Sequence, residues 1–264
     1  MSTFVGMTRS QKLALITGGL LALLLVIGAL GLVFTKRSWA KVTVTSTQPE
    51  KVLNPLQFEL LNRVQIRDDP QLRFRQEPFT ISFWFRTTST RKYAAMIAKR
   101  TSALGDGWVL GTGDNDGLYF YCAGCASPGS GSVQFRDGKW HHYVLTREGE
   151  TLTFYFDNRN VGGGPTRCDH NDANPLKIGM DADQGWHFEG EIAEVHFYNR
   201  TLSVSEIAEE WNNGKGRKTA ASGGGLVAGY HFDEPGGSIA KDFSGNGHDG
   251  TLIKAPESAA TRSN

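Results

Sequence analysis

The chain has 264 residues, of which 39% are hydrophobic and 21% charged, and its formal net charge is +1. Fifteen Phe, six Trp and seven Tyr supply core material that disordered chains lack. One folded domain of about 200 residues with an appendage is therefore expected. A nucleic-acid binder is not expected, because the chain has no basic excess that could neutralise phosphates.

Residues 13–34 form an apolar run without a charged side chain. At about 1.5 Å per residue, a helix of this length spans the roughly 30 Å hydrocarbon core of a bilayer. Arg9 and Lys12 precede the run, and Lys36 and Arg37 follow it. A cleaved signal peptide is the alternative, but its apolar region is usually only about 7–15 residues long. We therefore expect one uncleaved N-terminal transmembrane helix.

Ala14, Gly18 and Ala22 recur at every fourth position of this run. Such a stripe of small residues lets another membrane helix approach closely, although membrane helices often carry Gly and Ala without any specific partner. The partners that this segment predicts are the lipid bilayer and other membrane-protein subunits. Residues 1–12 are expected to form a cytoplasmic tail, and residues 35–49 a linker to an exported domain.

Beyond the linker, the chain consists of short runs in which apolar and polar residues alternate. In residues 79–85, the alternate positions are Phe, Ile, Phe and Phe. Comparable runs follow at residues 117–121, 140–146, 152–156, 176–179 and 192–198. Many short runs of this period, separated by turn residues, predict an all-β antiparallel sandwich. A helical pattern stands out at residues 203–211, with Ser203 as N-cap and Glu206 three residues later.

Three segments of this domain carry a family resemblance. They read FTISFWF at residues 79–85, DGKWHHY at 137–143 and FEGEIAEVHFYNRTLS at 188–203. Together they resemble the laminin-G-like domains of the concanavalin A-like lectin/glucanase superfamily, over about residues 50–254. The resemblance implies a jelly-roll β-sandwich whose closing strand leads into a short helix.

Two further segments, residues 225–234 and 242–253, are similar to the opening strands of such a domain, yet they stand at the end of this chain. The segments that should follow them stand near the start, at residues 55–58 and 64–72. Either a second domain is truncated after one hairpin, or a single domain is circularly permuted.

The physics of sheet edges favours the permuted domain. A lone hairpin is marginal in water, and a sandwich without its first strand exposes a sheet edge. The termini of such sandwiches usually lie close together, which permits permutation. We therefore expect residues 213–225 to be the permutation linker, residues 226–254 to complete the sandwich and residues 255–264 to form a tail.

Cys122 and Cys125 form a Cys-x-x-Cys pair, and Cys168 lies in another loop. Outside the cytosol, a disulfide is the simplest use of such residues. We predict that Cys168 pairs with Cys122 or Cys125. A tetrahedral zinc site formed by the three cysteines and His170 is an alternative, and reduced thiols are another.

The loop at residues 241–249 is a candidate calcium site. Asp242, Asn246 and Asp249 offer the oxygen ligands that this hard cation prefers. The family resemblance implies one structural Ca²⁺, with Glu194 as a further ligand. A polar turn without an ion is the alternative, and no other cofactor is expected.

The resemblance also implies a carbohydrate site, because lectin-like sites combine exposed aromatic side chains with polar loop residues. The candidates are Trp108, Trp186 and His187, beside Asp181 and Asp183. A place for Trp186 in the core is the alternative.

Glu189, Glu191 and Glu194 superficially resemble the catalytic Glu-x-Asp-x-x-Glu strand of glucanases. Retaining hydrolysis needs two carboxyl groups about 5–5.5 Å apart. Strand alternation, however, puts Glu194 on the opposite face from Glu189 and Glu191 unless a bulge intervenes. The segment also corresponds to the closing strand of the laminin-G type, which is not where glucanases carry their catalytic strand. We therefore expect that the protein is not an enzyme.

Two functions follow as hypotheses. The first is a single-span accessory subunit whose sandwich packs on the outer, periplasmic face of a larger membrane complex, respiratory or photosynthetic. The alternative is a membrane-anchored lectin-like module that binds glycans or proteins, with or without calcium. The bacterial inner membrane is the expected location, with the main domain periplasmic or extracellular. The first hypothesis predicts large apolar contact patches, and the second predicts exposed aromatic side chains among converging polar groups.

Overall fold

The computed structural model describes residues 53–59, 62–100, 107–167, 169, 172–181, 186–234 and 237–254. The predicted anchor at residues 13–34, with Ala14, Gly18 and Ala22, lies outside these ranges. Among the described residues, no helix is both long and apolar enough to cross a membrane. The anchor therefore stays a prediction.

The described residues form fifteen β-strands in two antiparallel sheets. The first sheet contains β1 (Leu56–Phe58), β3 (Phe79–Arg86), β8 (His141–Glu148), β9 (Thr151–Phe156), β10 (Arg159–Pro165), β12 (Gly190–Tyr198) and β13 (Leu226–Tyr230). The second sheet contains β2 (Arg63–Ile66), β4 (Ala95–Arg100), β5 (Gly107–Thr112), β6 (Gly117–Cys122), β7 (Gly129–Ser132), β11 (Leu176–Ile178), β14 (Ile239–Ala240) and β15 (Gly250–Ile253). The expected all-β antiparallel sandwich is thus confirmed.

The strand order brings early and late parts of the chain together. The first sheet runs β10–β9–β8–β3–β12, and the far edge of β12 is shared by β1 and β13. The second sheet runs β7–β6–β5–β4–β11–β2–β15–β14. Because β7 also pairs with β10, the two sheets are continuous at that side of the sandwich.

Aromatic side chains from both sheets fill the space between them. The alternate apolar residues of β3 all lie in this core, as the sequence pattern predicts. From the first sheet, the rings of Phe83 and Tyr143 lie 5.0 Å apart. From the second, the rings of Trp108 and Phe120 stack at 5.7 Å. Fully burying one such side chain contributes about 1.5–3 kcal/mol, so this core dominates the stability of the domain.

Helix α1 (Val204–Trp211) covers the outer face of the first sheet. Its Ile207 packs against Val144 and Tyr198. At its end, the indole of Trp211 stacks on that of Trp84, with centroids 5.2 Å apart and planes 8° apart. Two short 3-10 turns complete the regular structure, at Pro70–Leu72 and Asn212–Gly214. This face of the sandwich is therefore occupied by the protein itself.

Strand β12 contains a β-bulge. Ala193 lies opposite Trp84 in β3, but His196 lies opposite Ser82, so β12 has one extra residue between them. Glu194 occupies the bulge with a φ of 48°. In a regular strand, Ala193 and His196 would point to opposite faces of the sheet. Because of the bulge, both side chains point to the outer face, which helix α1 covers.

The C-terminal strands belong to the same sandwich. Strand β13 pairs with β12 from Val195↔Tyr230 to Tyr198↔Leu226. Strand β15 pairs with β2, from Gly250↔Ile66 to Ile253↔Arg63. Val227, Ala228 and Tyr230 are buried in the shared core. These strands therefore complete this domain instead of forming a separate hairpin, while the circular permutation relative to other members of the family stays a prediction.

Deletion of residues 226–264 tests whether these strands are part of one folding unit. The shortened chain loses the buried Tyr230 and exposes edges of β12 and β2. We expect it to lose cooperative thermal unfolding in calorimetry and to aggregate, because open edges and an unfilled core are both destabilising. Deletion of residues 255–264 alone is the control. If the chain without residues 226–264 still unfolds cooperatively at the wild-type temperature, these strands are not part of the folding unit.

Replacement of Glu206 tests the cap of helix α1. The Glu206 carboxylate accepts hydrogen bonds from the Ser203 backbone N–H at 2.9 Å and from the Arg200 guanidinium at 2.6 Å. The Arg200 guanidinium, the Ser203 N–H and the Ser203 hydroxyl lower the pKa of Glu206 to about 2. We expect Glu206→Gln to cost about 1 kcal/mol at pH 7 in urea unfolding.

This cost depends on pH in a defined direction. Because the pKa of Glu206 is lower in the folded than in the unfolded chain, its contribution is complete above about pH 5 and is lost as the pH falls through about 2. The difference between wild type and Glu206→Gln should therefore shrink steadily over this range. The exposed Glu148→Gln is the control. A difference that is independent of pH would refute the role given to this carboxylate.

Candidate functional site

The outer face of the second sheet has no helix over it among the described residues. Ala95, Ala98 and Val109 form a floor of small buried side chains on this face. Tyr119 and Tyr121 pack against the floor and are partly exposed. They alternate along β6 with residues that point into the core. This face therefore offers aromatic rings at a solvent-accessible surface.

Tyr93 and Trp186 extend this surface. Their rings stack with centroids 5.8 Å apart and planes 25° apart. The two residues are 41% and 42% exposed, respectively. Tyr119 meets the edge of Tyr93 at 6.3 Å. We call Tyr93, Tyr119, Tyr121 and Trp186 the aromatic surface.

A buried ion pair supports these rings. The guanidinium carbon of Arg100 lies 4.9 Å from the Tyr121 ring centroid and 5.5 Å from that of Trp186. The Asp181 carboxylate accepts hydrogen bonds from Nε of Arg100, at 2.8 and 3.0 Å to its two oxygens. Both residues of the pair are buried. Cation–π contacts from a guanidinium held in this way fix the rings in place.

The backbone around Tyr93 is held in an uncommon conformation. Its φ is 56°, in the left-handed region that bulky residues rarely adopt. Gly111 allows this segment to approach β5, because a Cβ there would lie 2.2 Å from the carbonyl oxygen of Ala94. The Thr112 N–H donates to the same carbonyl at 3.0 Å. A hydrogen bond from the Tyr93 hydroxyl to the Asp114 carboxylate raises the pKa of Tyr93.

Polar groups converge beneath the rings. The Tyr119 hydroxyl is buried and has no hydrogen-bond partner within the described part of the chain. Burial raises the pKa of Tyr119 well above its ordinary value, so the hydroxyl keeps its proton and can donate it. The Lys177 ammonium donates to the backbone carbonyls of Arg100 and Asp181, at 3.2 and 3.1 Å. The site thus combines flat apolar rings with directed donors and acceptors.

The residues predicted from the sequence as a carbohydrate site fall into different places. Trp186 is exposed, and Asp181 lies beside it, since the Asp181 N–H donates to the Trp186 carbonyl at 3.0 Å. His187 is buried, and burial lowers its pKa. The prediction that Trp108 belongs to a surface site is wrong, because this residue is 1% exposed and lies in the core. Asp183 lies outside the described residues.

Sequence reasoning missed Tyr93, Arg100, Tyr119 and Tyr121. For the two residues of β6 a signal existed, because their positions alternate with apolar residues and the tyrosines therefore face outward. For Tyr93 and Arg100 no such signal existed. Tyr93 does not belong to a strand, and strand β4, which contains Arg100, is buried on both faces, so its sequence does not alternate.

The predicted calcium residues are engaged with the protein itself. The Asp242 carboxylate accepts hydrogen bonds from three backbone N–H groups. Asp249 pairs with the Lys241 ammonium at 2.6 Å, and the Asn246 side chain donates to a backbone carbonyl of β13 at 2.8 Å. Glu194 lies in β12 and clusters with two histidines. The donors on Asp242 and Asp249 occupy oxygens that a cation would use, and the calcium site stays a prediction.

The cysteines are only partly described. Cys122 is a buried thiol, and burial raises its pKa to about 12. Its Sγ lies 3.0 Å from that of Cys125. Cys168 and His170 lie outside the described residues, so the predicted pairing of Cys168 and the zinc alternative stay predictions.

The three glutamates that resemble a glucanase motif have separate surroundings. Glu189 pairs with Arg91 at 3.1 Å, and Glu191 pairs with Arg86. Glu194 is buried in the bulge of β12, away from solvent. The expectation that the protein is not an enzyme stays a prediction.

Known proteins match both the sequence and the fold of this domain. Residues 62–208, more than half of the chain, match the family model of the concanavalin A-like lectin/glucanases superfamily. Over 82 residues, the chain is 30% identical to adhesion G-protein coupled receptor V1 of Danio rerio. This match covers 30% of the chain and 1% of the receptor.

Two solved structures are similar in fold. The first is a Bacteroides ovatus protein named for carbohydrate binding, with a TM-score of 0.62 and 16% identity over 78% of this chain and 59% of that one. The second is domain 4 of a Geobacillus stearothermophilus extracellular arabinanase in complex with arabinotriose, with a TM-score of 0.49 and 12% identity over 61% of this chain and 78% of that one. At 16% identity, the likeness to the Bacteroides protein bears on the fold alone. From the family match and this fold, the chain contains a lectin-like β-sandwich domain and belongs to the concanavalin A-like lectin/glucanases superfamily.

Proposed function

We propose that this domain is a carbohydrate-binding module whose ligand lies on the aromatic surface. The observation that carries the proposal is the stacked pair of Tyr93 and Trp186, which is open to solvent and rests on the buried Arg100–Asp181 ion pair. Sugar rings have apolar C–H faces that pack on aromatic rings, and their hydroxyls accept and donate hydrogen bonds. The Bacteroides ovatus protein of similar fold is named for the same ligand class.

A cleft elsewhere on the domain suits a saccharide less well. A cleft of ≈ 800 Å³ lies beside β2 and β15, and its lining includes Gln65, Asp68, Asp69 and Asp249. Its lining within the described residues has no tyrosine or tryptophan. Without a flat aromatic ring, it lacks the contact that stacks on the apolar face of a sugar.

The proposal includes a membrane anchor at residues 13–34, which would display the module outside the cytoplasm. The other hypothesis, an accessory subunit of a membrane complex, requires a large apolar contact patch. The exposed large hydrophobic side chains in the described part of the chain are Tyr93, Trp186, Val204 and Ile239. Because two of these four belong to the aromatic surface, the surface chemistry favours a small polar ligand over a subunit interface.

Removal of either stacked ring should weaken saccharide binding. We expect Trp186→Ala and Tyr93→Ala each to reduce affinity about tenfold, because one aromatic stack contributes on the order of 1 kcal/mol or more. The full chain would first be screened on a glycan array in mild detergent. Calorimetry with the best-binding oligosaccharide then compares the variants.

The control for this experiment is Ile239→Ala, which removes an exposed apolar side chain on β14 and should leave affinity unchanged. Two results count against the proposal. One is a wild-type chain that binds no glycan on the array, with or without Ca²⁺. The other is binding that survives the double replacement of Tyr93 and Trp186 in a folded protein.

A further inference from the structure

A buried cluster of one glutamate and two histidines lies where β12 meets the end of β13. Glu194 and His196 come from the bulged part of β12, and His231 follows β13 directly. Oε2 of Glu194 lies 2.7 Å from Nδ1 of His231 and 3.8 Å from Nε2 of His196. Glu194 and His196 are 1% and 0% exposed, and His231 is partly exposed. Within the described part of the chain, the cluster is therefore buried at Glu194 and His196 and reaches solvent at His231.

Two atoms of the cluster have no hydrogen-bond partner among the described residues. They are Nε2 of His196 and Oε1 of Glu194, and both are fully buried. Buried polar atoms in folded proteins nearly always have a partner. The nearest group to Nε2 of His196 in the cluster is the Glu194 carboxylate, so this nitrogen faces the space between the three side chains. The space between the three side chains therefore holds no partner for Nε2 of His196 among the described residues.

Glu210, on helix α1, fixes the ring of His196 from the other side. Its Oε2 lies 2.7 Å from Nδ1 of His196, and its Oε1 accepts the Tyr198 hydroxyl at 2.5 Å. The Tyr198 oxygen in turn accepts the Ala221 N–H at 2.9 Å, so its own proton points to Glu210. A carboxylate acceptor keeps the proton of the neutral ring on Nδ1 and leaves the lone pair on Nε2. Metal-binding histidines are typically oriented by such a second carboxylate.

The distances suit a small transition-metal ion. Zinc binds imidazole nitrogen and carboxylate oxygen at about 2.0–2.2 Å, which puts neighbouring tetrahedral ligand atoms about 3.4 Å apart. The separations of 2.7 and 3.8 Å from Oε2 of Glu194 lie on either side of that value. Two imidazoles and one carboxylate are donors typical of zinc, whereas calcium takes six to eight oxygens.

We propose that Glu194, His196 and His231 bind one divalent transition-metal ion of the zinc class, with a fourth position left for water. When the ion binds, it replaces the hydrogen bond between His231 and Glu194. The His231 ring then carries its proton on Nε2, and its Nδ1 lone pair faces the ion. Phe243 stacks on the His231 ring, with centroids 4.0 Å apart, and holds it in this position.

The ion would fasten the C-terminal strands to the rest of the sandwich. Two ligands belong to β12, whereas the third follows β13, which leads into β14 and β15. An ion that binds only the folded chain raises its melting temperature in proportion to the logarithm of ion concentration. The site thus predicts a metal-dependent stability that is independent of any saccharide.

The test is a titration of the full chain with Co²⁺, after purification in mild detergent and dialysis against a chelator. We expect one Co²⁺ per chain, with the intense visible bands of a four-coordinate ion and no thiolate charge-transfer band from cysteine. Zn²⁺ should displace the Co²⁺ and raise the melting temperature, and millimolar Ca²⁺ should not displace the Co²⁺. His231→Gln and Glu194→Gln should each weaken Co²⁺ binding at least tenfold, since each removes one of three protein ligands.

The matched control is His248→Gln. His248 is also buried and forms a hydrogen bond to Gln71 at 3.2 Å, but it is not part of the cluster. This variant should bind Co²⁺ as the wild type does. His231 is partly exposed, so its variant decides the question even where Glu194→Gln fails to fold.

Three results would overturn the inference. The first is a wild-type chain that takes up no stoichiometric Co²⁺. The second is unchanged Co²⁺ binding in a His231→Gln variant with a wild-type circular dichroism spectrum. The third is a melting temperature that does not rise with Zn²⁺, because an ion that binds only the folded chain must stabilise it.

Discussion

Strand β12 must be covered on both edges and both faces, and the rest of the domain is arranged to do this. Strand β3 pairs with one edge, and β1 and β13 share the other. On the inner face, Ile192, Val195 and Phe197 enter the aromatic core. On the outer face, Ala193 and Tyr198 lie beneath helix α1 and residues 212–225. An uncovered edge or face here would expose unpaired backbone groups or apolar side chains to water. Segments from the start, the middle and the end of the described chain therefore have to meet at this strand.

This constraint also determines which surface is left for a ligand. Helix α1 and residues 212–225 are used to cover the first sheet, so the outer face of the second sheet is the broad face that no helix covers in the described part of the chain. On that face, β4 and β5 present small residues, over which the aromatic surface lies. The buried Arg100–Asp181 pair gives the rings a rigid support without filling the space above them. Tyr119 and Tyr121 belong to strand β6, so this part of the site is held in one geometry before any ligand arrives.

Much of the fold could be predicted from the sequence, because alternation and capping are local signals. The alternation in residues 79–85 and the pair of Ser203 and Glu206 correspond to β3 and to the capping box of helix α1. The site was harder to predict, because residue type alone does not decide whether an aromatic side chain lies in the core or at the surface. Trp108 and Trp186 are the same residue type with opposite roles, 1% and 42% exposed.

The acid–histidine cluster could not have been predicted from spacing alone. Glu194 and His231 are 37 positions apart, and only the register of β13 on β12 brings them together. The bulge at Glu194 decides the face on which His196 lies, and the φ of 48° that the bulge requires leaves no clear trace in the sequence. The pairing of distant strands and the local bulge thus determine which side chains meet in this cluster. The residue types alone identify only candidates.

The most direct measurement is a nuclear magnetic resonance titration of the ¹⁵N-labelled full chain with the oligosaccharide that binds best on the array. The indole N–H signals of the tryptophans separate the surface from the core within one spectrum. If the ligand lies on the aromatic surface, the indole signal of Trp186 shifts with saturation, and those of Trp84 and Trp108, which are buried, stay in place. If the Trp186 signal stays unchanged while amides around Gln65 and Asp249 shift, the ligand lies in the cleft beside β2 and β15, and the proposed site is wrong.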